Sequence, residues 1–281
     1  MNYRVGCVPY LNAKPLVRLF EDMKGEVPVE VVYGVPSRLP EMLAGGHVQA
    51  IMVSSIEGLR IPGLRAADGV SISTQKEVLS VRLFSKVIPP LIRSVAFDQS
   101  SMTSNALARI ILRERYECDV RGEMVAPVLE DMLAEHDACV LIGDNGMRAE
   151  GHGLHVLDLG SEWRRLTRLP FVWALWLGDE GLTPELSMWL NAAALYGMAR
   201  IDRVVMLAAR ETGFTVHQCE NYLRRIMDYA FDEPHRQGMT EFGGHLQKAG
   251  IVSPAHFPAI VGADLALAES KALALAGLSA L

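Results

Sequence analysis

Short apolar runs bounded by turn residues alternate with segments of helical period over the first two-thirds of the chain. Tyr3–Val8 reads as a strand, and Pro15 suits the first turn of a helix over Leu16–Met23. Val29–Tyr33 reads as a second strand, and Ser37 is placed to cap a short helix that stops at Gly45-Gly46. Ala50–Val53 is a buried strand running into Ser54-Ser55. Glu77–Phe84 and Ser94–Phe97 are strand-like. The second leads through Asp98-Gln99-Ser100-Ser101 into a helix that ends near Tyr116, with Leu107, Ile110 and Ile111 on one face. Val128–Glu135 reads as a helix, Ala138–Ile142 as a strand, and Gly143-Asp144 as its terminal turn. His155–Asp158 and Phe171–Leu177 are further strands. From Pro184 the pattern turns helical, to about Arg210, from Val216 to Tyr229, and again near the C-terminus.

Alternation of this kind predicts an α/β fold with mostly parallel sheet covered by helices. At 281 residues the chain exceeds what one core comfortably fills, so two lobes are expected. Half the residues are apolar and 21% are charged, which is globular composition. The formal charge is −6 and no basic stripe runs along the chain, so nucleic acid is not an expected partner. An anionic ligand has to be held by local groups, against the overall field. Cys7, Cys118, Cys139 and Cys219 are widely spaced and lack a C-x-x-C element, which argues against a disulfide framework or structural zinc. The start does not read as a secretory signal, and no apolar run reaches the roughly 18 residues of a membrane span. A cytoplasmic protein that touches no membrane is expected, with a homodimer left open. The Ala/Leu-rich end, 266–281, carries Glu269 and Lys271 and reads as a docked helix.

Four stretches stand out. They are Val5-Gly6-Cys7-Val8-Pro9-Tyr10-Leu11-Asn12-Ala13-Lys14-Pro15-Leu16; the strand end Val53-Ser54-Ser55; Phe97-Asp98-Gln99-Ser100-Ser101-Met102-Thr103-Ser104; and Leu141-Ile142-Gly143-Asp144 with Asp158-Leu159-Gly160 and Leu169-Pro170-Phe171-Val172-Trp173-Ala174. Together, over about two-thirds of the chain, they resemble the chorismate dehydratase family of the futalosine route to menaquinone. Met102 departs from that pattern, where Arg is common, so a cationic contact is absent or supplied elsewhere. The resemblance implies a two-lobed, type II periplasmic-binding-protein-like fold with chorismate in the cleft between lobes. It implies loss of water from chorismate to give 3-[(1-carboxyvinyl)oxy]benzoate, with no metal or organic cofactor. It also implies a discontinuous division: residues 1–85 plus 178–281 in one lobe and 86–177 in the other, with crossings near Val81 and Trp173.

The marked residues fall at strand ends, where ligands of open α/β sheets collect. Ser100, Ser101, Thr103 and Ser104 place hydroxyls and N–H groups at a helix start, which favours a carboxylate. Ordinary capping is the competing reading there. Ser54 and Ser55 are a second carboxylate site or a turn. Tyr10 and Asn12 share a loop; Asn12 either closes an Asx turn or donates to the reacting end of the substrate, and the resemblance favours the latter. Gly143 and Asp144 are turn, cap or ligand contacts. Lys14, Arg82 and Arg168 read as ion-pair groups, and Trp173 and Trp176 as core.

Several motifs lead nowhere. Gly69-Val70-Ser71-Ile72-Ser73 lacks the last Gly of a nucleophile elbow, and Gly45-Gly46-His47 lacks a phosphate-loop Lys. His152 and His155 lack partners at zinc-site spacing. None of the marked stretches contains a His or Glu base, so the substrate's own enolpyruvyl carboxylate is the proton acceptor to consider. Two other readings compete: a solute-binding protein that only captures a small carboxylate, and the sister dihydroxynaphthoate-forming enzyme, which relies on a histidine.

Overall fold

The fold is that of a computed structural model, which describes residues 2–36 and 38–277; the expected cap Ser37 lies outside them. Along the chain come β1 (Tyr3–Cys7), a 3-10 turn (Leu11–Ala13), α1 (Lys14–Asp22), β2 (Val29–Tyr33), α2 (Leu39–Ala44), β3 (Ala50–Ser54), α3 (Ser55–Arg60) and β4 (Arg65–Thr74). Then follow β5 (Arg82–Ser85), β6 (Ser94–Asp98), α4 (Met102–Tyr116), β7 (Arg121–Val125), α5 (Leu129–Glu135), β8 (Ala138–Leu141), α6 (Gly143–Arg148), β9 (His155–Asp158) and α7 (Leu159–Thr167). The chain ends with β10 (Phe171–Gly178), α8 (Pro184–Ala199), α9 (Ile201–Thr212), α10 (Val216–Glu220), a π-helical turn (Asn221–Ile226), β11 (Asp228–Phe231), α11 (Glu233–Lys248), β12 (Ala259–Val261) and α12 (Leu265–Leu275).

Two mixed sheets result. One has the order β11-β4-β10-β3-β1-β2, with β12 also pairing β4; the other has the order β7-β6-β8-β5-β9. In the first, β1 runs parallel to β2 and β3, while β10 is antiparallel to β3 with Ala174 opposite Ser54. In the second, β6 is parallel to β7 and β8, and β5 is antiparallel to both β8 and β9. Val5 and Val140 therefore belong to different sheets.

The described residues divide into two compact units: those up to Ser73 with Ala174–Glu233 and those from His256 onward, and Thr74–Trp173 with Pro234–Ala255. The first crossing falls at Thr74, not near Val81, because β5 is a full member of the second sheet. Nor is Glu77–Phe84 one strand. Its first half is a loop pinned by Asp158, whose carboxylate accepts from the N–H groups of Val78 (3.1 Å) and Leu79 (2.8 Å). The segment 234–255 joins the second unit, contrary to the expected lobe division, because α11 packs there. Phe242 meets Trp163 and Phe171 edge-on, at 6.0 and 4.9 Å between ring centroids. Val216–Tyr229 is not one helix either: the helical pattern ends in the π turn, and β11 then pairs antiparallel with β4. Gly143-Asp144 opens α6 instead of forming only a terminal turn of the strand before it.

Helices α1, α8 and α9 form one packed layer of the first unit. A Cβ on Gly197 of α8 would lie 2.0 Å from the Pro15 carbonyl oxygen, so glycine there permits the close approach that seats the start of α1. At the other end of α1, Asp22 Oδ2 accepts from the Tyr196 hydroxyl at 3.1 Å, and Oδ1 from Arg203 at 3.1 Å. Arg18 pairs with the same carboxylate. Desolvation pulls this carboxyl upward, but the bonds from Arg18 and Tyr196 outweigh it and hold it below the ordinary aspartate value. In the second unit, buried Glu162 accepts from the Tyr116 hydroxyl at 3.0 Å and pairs with Arg115 and Arg165, which ties α7 to the end of α4. No helix among the described residues is long and apolar enough to cross a membrane.

Two outcomes follow from this packing. Gly197→Ala forces α8 off Pro15 and should cost about 1–3 kcal/mol in chemical denaturation. All four cysteines are free and buried, and burial pushes the Cys7 and Cys139 thiols up to about 12. A thiol reagent at pH 8 should therefore label none in the folded protein and all in denaturant. An unfolded thiol ionises near ~8.5, so this burial stabilises fully below that pH. The contribution should fade as pH rises from there toward about 12.

Candidate active site

At the end of β1 the chain turns through Val8-Pro9-Tyr10 into the 3-10 turn, closed by the Ala13 N–H donating to the Tyr10 carbonyl at 3.1 Å. Leu11 and Ala13 point into the core, which leaves Asn12 half-buried between them. The Asn12 side chain takes no hydrogen bond among the described residues, so it closes no Asx turn. Tyr10 is engaged within the protein. Lys14 pairs with Glu211. A concavity of about 130 Å³ beside Tyr10 is walled by Lys14, Glu21 and Glu211 among others, so the charged groups of its lining sum to a net negative charge.

The Ser54-Ser55 pair separates in role. Ser54 ends β3, is half-buried, and makes no capping bond to α3. Ser55 is fully buried and engaged within the protein. Just beyond, buried Glu57 is held bidentate by Arg60 at 3.1 and 2.7 Å.

In the second unit, β6 delivers Asp98 to the start of α4. The Asp98 carboxylate oxygen Oδ1 accepts from the Ser100 N–H at 2.9 Å and from the Ser100 hydroxyl. Ser101 caps α4, its hydroxyl oxygen accepting from the Ser104 N–H at 3.2 Å. Thr103 and Ser104 are buried within the helix, and Thr103 is engaged. The capping reading thus holds for Ser101. The Ser100 proton is spent on Asp98, whereas Ser101 uses only its oxygen, as an acceptor. Asp98 lies inside the marked stretch but carried no role of its own there, and Asn105 lies just beyond it. Asn105 donates to the Asp98 carbonyl at 2.7 Å. Asp98 Oδ2 and Asn105 Oδ1 are sealed from solvent and accept nothing among the described residues. An Asp two positions before Ser is the Asx-turn signature that signals the first of these. Exposed Met102 and Met124 flank this start, so its rim is thioether rather than cationic.

Gly143 opens α6 with φ +56° and open space where a Cβ would stand, so the backbone, not crowding, requires glycine. Asp144, half-buried in the first turn, is engaged within the protein. Arg82 is no substrate clamp. Its guanidinium donates to the carbonyls of Gly146 and Ala149, both at 2.8 Å, closing the end of α6. Asp158 caps α7 through Ser161 N–H at 2.9 Å, and Gly160 sits where a Cβ would meet the Lys76 carbonyl at 2.4 Å. These two motif residues build the scaffold. Trp173 and Trp176 are buried. Among the described residues no group of three or more His, Cys, Asp or Glu side chains is placed to hold a metal ion.

The chain is similar to known proteins along most of its length. The family described as menaquinone biosynthesis matches residues 3–248. A chorismate dehydratase of Thermus thermophilus is 30% identical over 265 residues, 85% of this chain and 93% of that one. A chorismate dehydratase of Campylobacter jejuni is 29% identical over 174 residues, 60% of this chain and 64% of that one. Among solved structures, the periplasmic aliphatic sulphonate binding protein SsuA of Escherichia coli superposes with a TM-score of 0.64. It is 14% identical and covers 92% of this chain and 93% of its own. At that identity the likeness carries the fold alone, which is periplasmic-binding-protein-like. With the family match spanning most of the sequence, the chain belongs to the menaquinone-biosynthesis family.

Proposed function

We propose that this protein is a lyase that dehydrates chorismate to 3-[(1-carboxyvinyl)oxy]benzoate, the first step of the futalosine route to menaquinone, in the cytoplasm. The observation that carries the reading is a family likeness spanning nearly the whole chain, together with a free Asn12 amide inside the best-marked motif. Loss of a ring proton and the adjacent hydroxyl makes the ring aromatic, so the substrate supplies much of the driving force. The enolpyruvyl carboxylate takes the proton, and the hydroxyl departs to complete the water. What remains for the protein is to fix the conformer and stabilise the departing oxygen.

Asn12 suits the second task. Its amide N–H donates without first breaking an internal bond, so the interaction is preorganised. The Ser101 hydroxyl and the N–H groups at the start of α4 suit a carboxylate. Asp98 is a neighbouring charge, but its Ser100 bonds and its burial keep it from being a free anion at the surface. Tyr10, Ser54, Gly143 and Asp144 border the two strand ends and are assigned to substrate binding. Ser55, Ser100, Thr103 and Ser104 shape the same ends from within. A carrier that only captures a carboxylate shares this fold but needs no free amide at the reacting end. The sister enzyme needs a histidine that the marked segments lack.

Asn12→Ala should fold like the parent, since no internal bond is lost. It should bind chorismate within about tenfold of the parent while kcat falls roughly a hundred- to a thousandfold, the loss of about 3–4 kcal/mol that one oxyanion donor supplies. Asn12→Asp adds a carboxylate beside two others and should weaken binding as well. Steady-state kinetics with calorimetric binding separate the two effects. An Ala variant as fast as the parent would leave Asn12 a turn residue and remove the mechanism.

A further inference from the structure

Tyr229 stands outside every motif considered so far. It lies on β11, between Asp228, which pairs with Ser73, and Ala230, which pairs with Val70. The register shifts between those two residues, so Tyr229 sits at an irregularity of the strand. A π-helical turn, Asn221–Ile226, ends two residues before β11 begins. Bulges and π turns both cost regular hydrogen bonding, and both recur where a chain re-aims a side chain for function.

The hydroxyl is the anomaly. Tyr229 Oη is sealed from solvent and has no hydrogen-bond partner among the described residues. Leaving a buried hydroxyl unmade is unfavourable, and Phe would fill the same space without the penalty. The residue as a whole is intermediate in exposure, although its oxygen is sealed. Burial also raises the phenol well above its ordinary value, with Tyr222 adding to the effect, so it stays a protonated donor at any working pH.

Its position in the sheet says what it could meet. Ser54, at the end of β3, is opposite Ala174 in the first half of β10. The Trp173 indole N–H donates to the Thr74 hydroxyl at 3.1 Å, so β4 ends where β10 begins. Asp228 is opposite Ser73, so β11 begins there too. Tyr229 therefore shares one end of the sheet with Ser54, and β1, parallel to β3, delivers Asn12 toward the same end. Trp176 Nε1 is likewise sealed and unpartnered, but it pairs level with Met52, deeper in the sheet.

We propose that Tyr229 contacts the substrate, its O–H donating to an anionic oxygen of a bound carboxylate at this sheet end. The proposal rests on the reading of this end as the substrate site and adds a donor to it. The test is Tyr229→Phe, compared with the parent in three measurements: thermal melting, calorimetric titration with benzoate as a simple carboxylate, and chorismate turnover. The expected result is a melting temperature equal to or above the parent's, with benzoate affinity and kcat/KM for chorismate each lower by roughly tenfold to a hundredfold. A structural hydroxyl would move the melting temperature down, and that result overturns the proposal. So do unchanged affinity and turnover. Weakened benzoate binding when neither protein turns over chorismate keeps the Tyr229 assignment and removes the dehydratase reading. A parent that binds neither ligand overturns both.

Discussion

The antiparallel pairing of β10 with β3 is the constraint on which the first unit depends. The chain leaves this unit at Thr74 and returns about a hundred residues later; setting Ala174 opposite Ser54 brings the return to the end where β3 finishes. Three consequences follow from that one register. The polar ends of β1 and β3 lie on the same side, since those strands are parallel. The strand β4 ends beside the start of β10. The edge strand β11 then begins at that side as well. Trp176 and Leu177 point to opposite faces and both are fully buried, so β10 is a central strand covered on both sides. Ser54, Ser73, Thr74 and Asp228 thereby gather toward one end of the sheet.

Much of this was legible in the chain, for identifiable reasons. Val29–Tyr33 and His155–Asp158 are the bounds of β2 and β9, because turn residues flank both runs closely. The start of α4 was legible because Ser101 is a strong cap. The strand β4 escaped because its inward positions include Ser71, Ser73 and Thr74, which are buried although polar. Ser71 is satisfied by the Ala230 carbonyl, a partner far away in sequence that no local pattern reveals. The segment 77–81 misled in the opposite sense. Val78 and Val81 are buried, but in a loop fixed by Asp158. The helical period after Val216 holds to Ile226, and only the β4 pairing turns Asp228–Phe231 into a strand.

The candidate residues differ in what they leave uncommitted, for a similar reason. Sequence marks which polar residues sit at strand ends; it does not mark which of their donors are already spent. Asn12, Ser54 and Ser101 keep a donor, while Ser100 gives its proton to Asp98 and Arg82 gives its guanidinium to α6. An acidic protein that takes a dianion needs such uncommitted donors, because its overall field works against binding. Asp98 shows how finely this is arranged: the carboxylate nearest the α4 start stabilises that start from within, through Ser100 N–H at 2.9 Å.

The central claim is that this site removes water from chorismate using only the protein's own donors and the substrate's own carboxylate. The most direct measurement is mass spectrometry of the products formed when the purified protein, treated exhaustively with chelator, meets chorismate. The account predicts one aromatic product lighter than chorismate by a single water, formed at the same rate before and after chelation. Chorismate recovered unchanged, or turnover that stops with chelator and returns with added metal, would contradict it.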